Sequence, residues 1–186
     1  MIRERIGDVE LELETDPRLF SPARVDAGTR AMVSCVDLSP DDKMLDLGCG
    51  YGVVGIWAAL RIGAERVWML DVDPIATALA RRNAERNGVA NITVVDSDAF
   101  DGLSEAGFTK ILCNPPYHAD FAVAKRFVQK GFNRLVIGGS FWMVTQRQAW
   151  YRNKLRAIFG RVNEHPVAPY TVFEATKRSA TWSNRR

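Results

Sequence analysis

The chain contains 186 residues, of which 47% are apolar and 25% are charged, and this size supports one sizeable core with little room for a second domain. Its apolar runs are too short for a signal peptide or a membrane span. Its 3 cysteines are widely spaced without a CxxC pair, which argues against a disulfide framework or a zinc site. We therefore expect a single cytoplasmic domain over residues 1–186, with no metal and no membrane association, and with its oligomeric state left open.

The charge is unevenly distributed along the chain. The formal net charge is only +3, but residues 121–186 contain 13 Lys and Arg against 2 Asp and Glu, a net charge of +11, which leaves −8 for residues 1–120. A basic face of this kind is typical of proteins that bind a polyanion such as nucleic acid. Ordinary solvated helix faces followed by a basic tail are the alternative explanation.

Strand patterns and helix patterns alternate along the chain. The predicted strands are residues 9–14, 44–47, 66–70, 92–95, 110–113, 141–145 and 171–175. The predicted helices are residues 25–36, 53–62, 74–87, 121–137 and 148–159. This alternation predicts an α/β fold of the Rossmann-like, doubly wound type, with a mostly parallel seven-stranded sheet and helices on both faces. Ligands bind such sheets beyond the carboxyl ends of the strands, so the residues that follow each strand are the candidates for function.

The first candidate site is the segment 46–52 (DLGCGYG), at the end of the second predicted strand. Its glycines let the backbone turn sharply and approach a ligand without interference from a Cβ atom. An acidic residue, Asp46, lies inside this turn, where it would repel a pyrophosphate but attract an ammonium or a sulfonium cation. S-adenosylmethionine carries both cations, and this favours it over a structural turn with no ligand.

A dinucleotide is the competing interpretation of the same segment. Gly50, Gly52 and Gly55 match the G-x-G-x-x-G fingerprint, and Asp71 follows about twenty residues later, where a ribose-binding acid is expected. That register begins two residues late, however, because the first glycine after the strand is Gly48. This mismatch weakens the dinucleotide interpretation without removing it. A nicotinamide-dependent oxidoreductase stays as the alternative function.

Acidic residues also follow the next two predicted strands. Asp71 can accept hydrogen bonds from both hydroxyl groups of a ribose, and Val72 can pack against an adenine. Asp73 is expected to cap the helix that begins immediately after it. Asp98 is a candidate acceptor for the adenine amino group, although an acidic loop residue is commonly only solvated.

The segment 113–118 (CNPPYH) at the end of the fifth predicted strand is the most specific of these sites. Its two prolines fix the backbone and remove two donors, which leaves carbonyl oxygens free to accept. If Asn114 Oδ1 and the Pro115 carbonyl oxygen accept both N–H bonds of a conjugated amino group, its nitrogen can pyramidalise and attack a sulfonium methyl group. Catalysis would then be chiefly orientation. Tyr117 would offer a flat face for a planar base or amide. A rigid structural turn is the alternative.

Together these segments resemble those of the class I methyltransferases, over residues 19–178. The matching segments are 19–22 (LFSP) with 26–28 (DAG), 45–50 (LDLGCG), 71–74 (DVDP) and 114–118 (NPPYH). Within the class, the sequence resembles the small-domain group typified by the catalytic half of ribosomal RNA small subunit methyltransferase C, a guanine-N2 methyltransferase. The glycine turn and the ribose acid are shared by the whole class, whereas the Asn-Pro-Pro-Tyr loop is typical of enzymes that methylate amino or amide nitrogens.

Taken with the segments above, the resemblance implies a set of site residues and S-adenosyl-L-methionine as the cofactor. The residues expected to bind the cofactor are Asp46, Gly48, Gly50, Asp71, Val72 and Asp98. The expected catalytic residues are Asn114, Pro115 and Tyr117, and the expected substrate-binding residues are Phe20, Pro116 and His118. Residues 41–186 would form the catalytic core, and residues 1–40 a strand and helix extension that covers the site.

An exocyclic amino nitrogen, foremost guanine N2 of ribosomal RNA, is the expected methyl acceptor, because the basic C-terminal third suits RNA. Larger family members carry an additional N-terminal domain that helps to engage RNA, and this sequence departs from them there, which leaves the substrate open. Adenine N6 of RNA or DNA and protein glutamine are the alternative acceptors. A non-catalytic RNA-binding module with a vestigial cofactor site is the alternative from another class.

Overall fold

The computed structural model describes residues 1–115 and 121–183, which form nine strands and five α-helices. The strands are β1 (Ile2–Ile6), β2 (Val9–Leu13), β3 (Met44–Leu47), β4 (Val67–Asp71), β5 (Thr93–Asp96), β6 (Phe108–Cys113), β7 (Leu135–Thr145), β8 (Asn163–Val167) and β9 (Tyr170–Thr176). The helices are α1 (Ala27–Cys35), α2 (Val53–Ile62), α3 (Pro74–Arg86), α4 (Phe121–Arg134) and α5 (Gln148–Phe159).

Seven of the strands form one sheet in the order β5-β4-β3-β6-β7-β9-β8. The strands from β5 to β7 run parallel, whereas β9 is antiparallel to both β7 and β8. The chain moves outward through β3, β4 and β5 in one direction and through β6 and β7 in the other, so the strand order reverses between β3 and β6. The predicted doubly wound, mostly parallel fold is therefore confirmed, with its switch point, where ligands bind, at the ends of β3 and β6.

Helices cover both faces of this sheet. Helices α1, α2 and α3 pack on one face, and α4 and α5 pack on the other. The alternation within β3 shows how the two layers are filled, because Met44 lies in the first layer and Leu45 in the second, and both are fully buried. Strands covered on both faces are usually apolar throughout, so the buried acid in β3, Asp46, requires a specific reason.

A separate antiparallel hairpin, β1 with β2, precedes the main sheet. Helix α3 holds this hairpin through two side-chain amides one turn apart. Asn83 exchanges two hydrogen bonds with the backbone of Glu14, and Asn87 exchanges two with the backbone of Glu12, all of them 2.7–3.0 Å long. These amides provide the donors and acceptors that a neighbouring strand would otherwise provide, and they dock the N-terminal residues onto the core.

The structure corrects the predicted elements at three places. Helix α4 ends at Arg134, three residues earlier than predicted, since the β-branched Val136 and Ile137 belong to β7 and such residues favour strands. The prediction omitted β8, which contains Pro166 and lies at the sheet edge, where a strand tolerates proline. The strand predicted over residues 9–14 pairs with β1, so the seventh strand of the sheet is β8 instead.

Candidate active site

A cavity of about 370 Å³ lies at the carboxyl ends of β3, β4 and β6, at the switch point of the sheet. Its volume is within the range of small-ligand sites. The predicted site residues that line it are Phe20, Asp46, Gly48, Gly50, Asp71, Val72, Asp98, Asn114 and Pro115. The structure thus brings together every predicted site residue that it describes. Pro116, Tyr117 and His118 lie outside the described residues.

The loop between β3 and α2 presents bare backbone to this cavity. The φ angle is 76° at Gly48 and 54° at Gly50, in the left-handed region that favours glycine. A Cβ atom at either position would meet nothing within 4 Å, so both residues adjoin open space. The N–H groups of Gly48 and Cys49 each donate to the Leu70 carbonyl oxygen over 2.9 Å, which fixes the loop against β4.

The other two glycines of the dinucleotide-like fingerprint have packing roles. A Cβ atom at Gly55 would lie 2.4 Å from the side chain of Met69, and one at Gly52 would lie 3.3 Å from the Cα atom of Ala80. Helix α2 therefore packs closely against β4 and α3 at these two positions. Close packing thus accounts for glycine at positions 52 and 55, and no pyrophosphate is needed to explain the fingerprint.

Asp46 is the buried acid of the cavity. It is only 3% exposed, and its Oδ2 atom accepts a hydrogen bond from the N–H of Gly55 over 2.9 Å. Burial raises the pKa of Asp46 to about 7, and the nearby carboxylate of Asp71 contributes to the rise. A cation bound beside it would stabilise the charged form of this carboxyl group.

Asp71, the last residue of β4, supports the glycine loop with both of its carboxylate oxygens. Oδ2 accepts from the N–H of Gly50 over 2.8 Å, and Oδ1 accepts from the N–H of Asp73 over 3.0 Å. Each oxygen has a second lone pair, so the carboxylate can still accept from a ligand. Val72 is 67% exposed at the edge of the same cavity. Asp73 caps α3 as predicted, since its Oδ1 accepts from the N–H of Ile75 over 2.8 Å.

An ion pair closes the cavity wall between the segment after β5 and helix α4. Arg126 donates to Oδ1 of Asp98, and both residues line the cavity. The pair is partly exposed, so it contributes little to stability. Arg126 was not predicted as a site residue, because only the fold brings these two residues of different elements together.

Asn114 follows β6 directly, and its side-chain amide is held in one orientation. Nδ2 donates to Oδ2 of Asp26 and to Oγ1 of Thr29, each over 2.9 Å. A carboxylate can only accept, so the NH₂ group must face Asp26 and the amide oxygen must face away. Oδ1 is buried and has no hydrogen-bond partner among residues 1–115 and 121–183. An unpaired buried acceptor is costly, so this oxygen is a candidate acceptor for a ligand donor.

Asp26 and Thr29 belong to the start of α1 and were not predicted as site residues. Asp26 is the N-cap of α1, where its Oδ2 accepts from the N–H of Thr29 over 3.2 Å. Asp is a favoured N-cap residue, and the segment 26–28 (DAG) was among those that carried the family resemblance, but neither signal specifies a contact with Asn114. The second role of the same carboxylate, toward Asn114, arises from the packing of α1 beside β6.

Residues 18–21 form a further part of the cavity wall. The hydroxyl group of Tyr51, in the glycine loop, donates to the carbonyl oxygen of Ser21 over 3.0 Å. Burial raises the pKa of Tyr51 to about 12, which keeps this hydroxyl protonated as a donor. Phe20 is half-exposed and lines the cavity. Tyr51 was not predicted as a site residue, and it couples the glycine loop to the N-terminal segment.

The cavity fits the cofactor that the sequence predicts. The open glycine turn leaves room where side chains would otherwise fill the cavity, and the two acids, Asp46 and Asp71, suit a ligand with positive charges and ribose hydroxyls. Across the described parts of the chain, no group of three or more His, Cys, Asp and Glu residues could hold a metal ion. None of the helices in those parts is long and apolar enough to cross a membrane.

A sheet of this order, with a glycine turn after β3, an acid at the end of β4 and an Asn-Pro segment after β6, defines a class I methyltransferase, an S-adenosylmethionine-dependent enzyme. Residues 10–174 match the methyltransferase small domain, and the chain belongs to that family. The predicted enzyme class is thereby confirmed, and the nicotinamide-dependent oxidoreductase is set aside.

Several relatives are similar over most of this chain. It is 32% identical over 164 residues to the uncharacterized protein YbxB of Bacillus subtilis, covering 86% of this chain and 82% of that protein. It is 34% identical over 143 residues to ribosomal RNA small subunit methyltransferase C of Pseudomonas paraeruginosa, covering 75% of this chain and 42% of that protein. Among solved structures, a T. thermophilus 16S rRNA N2 methyltransferase in complex with AdoMet and guanosine matches with a TM-score of 0.81 and 29% identity, over 95% of this chain and 50% of that one. The chain thus spans about half the length of these named methyltransferases.

Proposed function

We propose that this protein transfers a methyl group from S-adenosylmethionine to an exocyclic amino nitrogen, and that this nitrogen is guanine N2 of ribosomal RNA. The observation that carries the proposal is the buried, unpartnered Oδ1 atom of Asn114. The relatives support the choice of base, since one of them is described as a 16S rRNA N2 methyltransferase in complex with guanosine. This chain spans about half of the length of these relatives. A ribosomal RNA substrate for this chain is therefore part of the proposal.

An aromatic amino group needs an oriented hydrogen-bond acceptor before its nitrogen can attack a methyl group. The lone pair of guanine N2 is delocalised into the ring, so the nitrogen is a poor nucleophile. Asn114 Oδ1 would accept one of its N–H bonds and the Pro115 carbonyl oxygen the other, which would localise the lone pair and aim it at the cofactor side of the cavity. Orientation of this kind can remove about 7–11 kcal/mol of a reaction barrier.

Asp26 and Thr29 would set the polarity of this acceptor site. If the amide of Asn114 were rotated by half a turn, its NH₂ group would face the incoming amino group, and its oxygen would face the carboxylate of Asp26. Both contacts would be unfavourable, because they would place a donor against a donor and an acceptor against an acceptor. The start of α1 therefore acts on the reaction through Asn114, as a positioning element.

The cofactor would occupy the part of the cavity beside β3 and β4. When bound, S-adenosylmethionine supplies an electrophilic methyl group on a sulfonium centre. The residues that would hold its methionine part are Asp46, Gly48 and Gly50, those beside the adenosine part are Asp71, Val72 and Asp98, and those that would hold the target base are Phe20, Pro116, Tyr117 and His118. The buried carboxyl group of Asp46 would gain a cationic partner.

We place the enzyme in the cytoplasm, with residues 41–186 as its catalytic core and residues 1–40 as an extension that covers the site. Two contacts across that boundary support this division. Tyr51 donates to the carbonyl oxygen of Ser21, and Asn114 donates to the side chain of Asp26. In this arrangement the extension completes the acceptor side of the cavity.

The proposal is tested with ribosomal RNA and ribosomal subunits from a strain that lacks the gene. The purified protein is incubated with them and with labelled S-adenosylmethionine, and the RNA is then digested and mapped by mass spectrometry. We expect N2-methylguanosine at one position. Methylation of adenine N6 or of protein glutamine instead would contradict the substrate but not the nitrogen chemistry. Cofactor binding with no transfer to any of these acceptors would favour the non-catalytic module.

A further inference from the structure

Helices α4 and α5 begin next to one another at the same edge of the sheet as the cavity. Strand β6 leads into α4 and β7 leads into α5. The ring of Phe121, the first residue of α4, stacks on the ring of Trp150 in α5, with centroids 4.5 Å apart and an interplanar angle of 29°. The guanidinium carbon of Arg147 lies 5.5 Å from the centre of the Phe121 ring. This aromatic contact fixes the spacing between the two helix starts.

A lysine follows each of these aromatic residues by one helical turn. Lys125 lies four residues after Phe121, and Lys154 lies four residues after Trp150, so each lysine shares a helix face with its aromatic residue. The stack of Phe121 on Trp150 therefore brings the two lysines to the same side of the helix pair, and the positive charge of Lys125 adds, after partial burial, to the lowering of the pKa of Lys154. We call Phe121, Lys125, Arg147, Trp150 and Lys154 the α4–α5 patch.

The other cations of α4 and α5 already have partners. The pairs are Arg126 with Asp98, Lys130 with Asp101, Arg134 with the carbonyl oxygens of Ser104 and Glu105, and Arg152 and Arg156 with Glu164. Within the part of the chain that the structure describes, Lys125 and Lys154 have no acidic partner. Neither helix carries an acidic residue in its first turn; Asp120 directly precedes α4 in the sequence, whereas Arg147 precedes α5, so the dipole of α5 adds to the positive potential there.

We propose that the α4–α5 patch binds the phosphate backbone of the RNA strand beside the target nucleotide. This inference rests on the proposed function. The cofactor side of the cavity lies over β3 and β4, so an RNA strand that delivers a base to Asn114 crosses the ends of β6 and β7, where α4 and α5 begin. The target base must leave its stack to enter the cavity, from a single strand or by extrusion from a duplex, and this brings the phosphates on either side of it to the cavity entrance. A phosphate between two repelling ammonium groups relieves their repulsion.

The test compares two double variants that remove equal charge from the same two helices. Lys125→Gln/Lys154→Gln removes the cations without acidic partners, and the matched control Lys130→Gln/Arg156→Gln removes two cations that have carboxylate partners. The probe is a fluorescein-labelled oligouridylate with one central guanosine, and its binding is followed by anisotropy across a KCl series. The patch variant should bind roughly 20-fold more weakly near 0.1 M salt, with a salt slope flatter by about 1.4, because two phosphate contacts to a single strand are lost.

The control variant should keep wild-type affinity within about threefold, since its cations are already neutralised. In steady-state methylation of ribosomal RNA, the patch variant should show a raised KM with near-normal kcat and unchanged S-adenosylmethionine affinity by calorimetry. The inference would be overturned by any of three results. These are an equal loss of RNA affinity in both double variants, wild-type RNA affinity in the patch variant, and no RNA binding by the wild type. If the wild type methylates RNA while the patch variant keeps its affinity, the patch alone is wrong; if the wild type transfers no methyl group to RNA, the proposed function is wrong.

Discussion

The two sides of the cavity are built in different ways. On the cofactor side, the acids Asp46 and Asp71 accept bonds from backbone N–H groups at most 21 residues away in sequence. On the acceptor side, Asn114 is held by two side chains of α1 that lie 85 and 88 residues earlier, and its Oδ1 atom lacks a partner among the described residues. Under the proposed function, the cofactor side is therefore formed before a ligand arrives, whereas the acceptor side would be completed by the ligand.

This difference implies that cofactor binding and methyl transfer can be separated by mutation. Substitutions on the cofactor side should change S-adenosylmethionine affinity, and substitutions on the acceptor side should change kcat while leaving that affinity intact. A variant that moved both quantities equally would show that the two sides act as one unit.

The largest effect is expected for Asn114→Ala. Its Oδ1 atom is assigned to the target nitrogen, and misplacement of a reacting group by about 1 Å can cost on the order of a hundredfold in rate. We expect kcat to fall by at least that factor, with S-adenosylmethionine affinity close to that of the wild type. Single-turnover methylation and calorimetry measure the two quantities. A near-normal single-turnover rate would show that the Asn-Pro-Pro segment is only a structural turn.

The next effect is expected for Asp71→Ala, on the cofactor side. The change removes acceptors for the ribose hydroxyls and also releases the N–H of Gly50, so binding should weaken by about 1–3 kcal/mol, or roughly 5- to 150-fold. The matched control is Asp73→Ser, which keeps a capping side chain at the start of α3 and should leave the affinity unchanged. Wild-type affinity in the Asp71 variant would remove this residue from the cofactor site.

The same contrast explains how much could be predicted from the sequence. The cofactor side could be predicted because its residues lie at or just after the carboxyl ends of strands that have a clear apolar pattern. On the acceptor side, the sequence pointed to the Asn-Pro-Pro-Tyr-His segment and to Phe20, which lines the cavity. The roles of Asp26 and Thr29 could not be predicted, because a cap pattern specifies a helix start and not the neighbour across the fold. Strand β8 could not either, since its proline and polar residues resemble a loop.

A smaller effect, confined to the rate, is expected for Asp26→Ser. Serine keeps the N-cap of α1 but is too short to reach Asn114, so the amide keeps Thr29 as its one partner. We expect kcat to fall about tenfold, which is the value of one lost hydrogen bond, with Tm and S-adenosylmethionine affinity near those of the wild type. Thr29→Ser keeps a hydroxyl acceptor and should retain most activity. If the lower kcat were accompanied by a clearly lower Tm, Asp26 would act only as a helix cap.

The smallest effect concerns pH and the buried carboxyl group of Asp46, whose pKa is raised to about 7 by burial. A bound cation favours the charged form, so S-adenosylmethionine affinity should increase as the pH rises through 7, by about fourfold between pH 6.5 and pH 8. The stability of the ligand-free protein should change in the opposite direction. The folded-state pKa lies above the usual value of 3.8. The contribution of this group to folding stability is therefore fully present below pH 3.8 and is lost as the pH rises from there through about 7.

Calorimetry and chemical denaturation across this pH range measure the two trends, and Asp46→Asn should flatten both, since the amide does not titrate. Opposite slopes in the wild type that vanish in the variant would assign both trends to one carboxyl group. An affinity that stayed constant with pH would show that no cation is bound beside Asp46. The methionine part of the cofactor would then have to lie elsewhere along the glycine loop, and the cofactor side would be defined by Asp71 and the bare backbone alone.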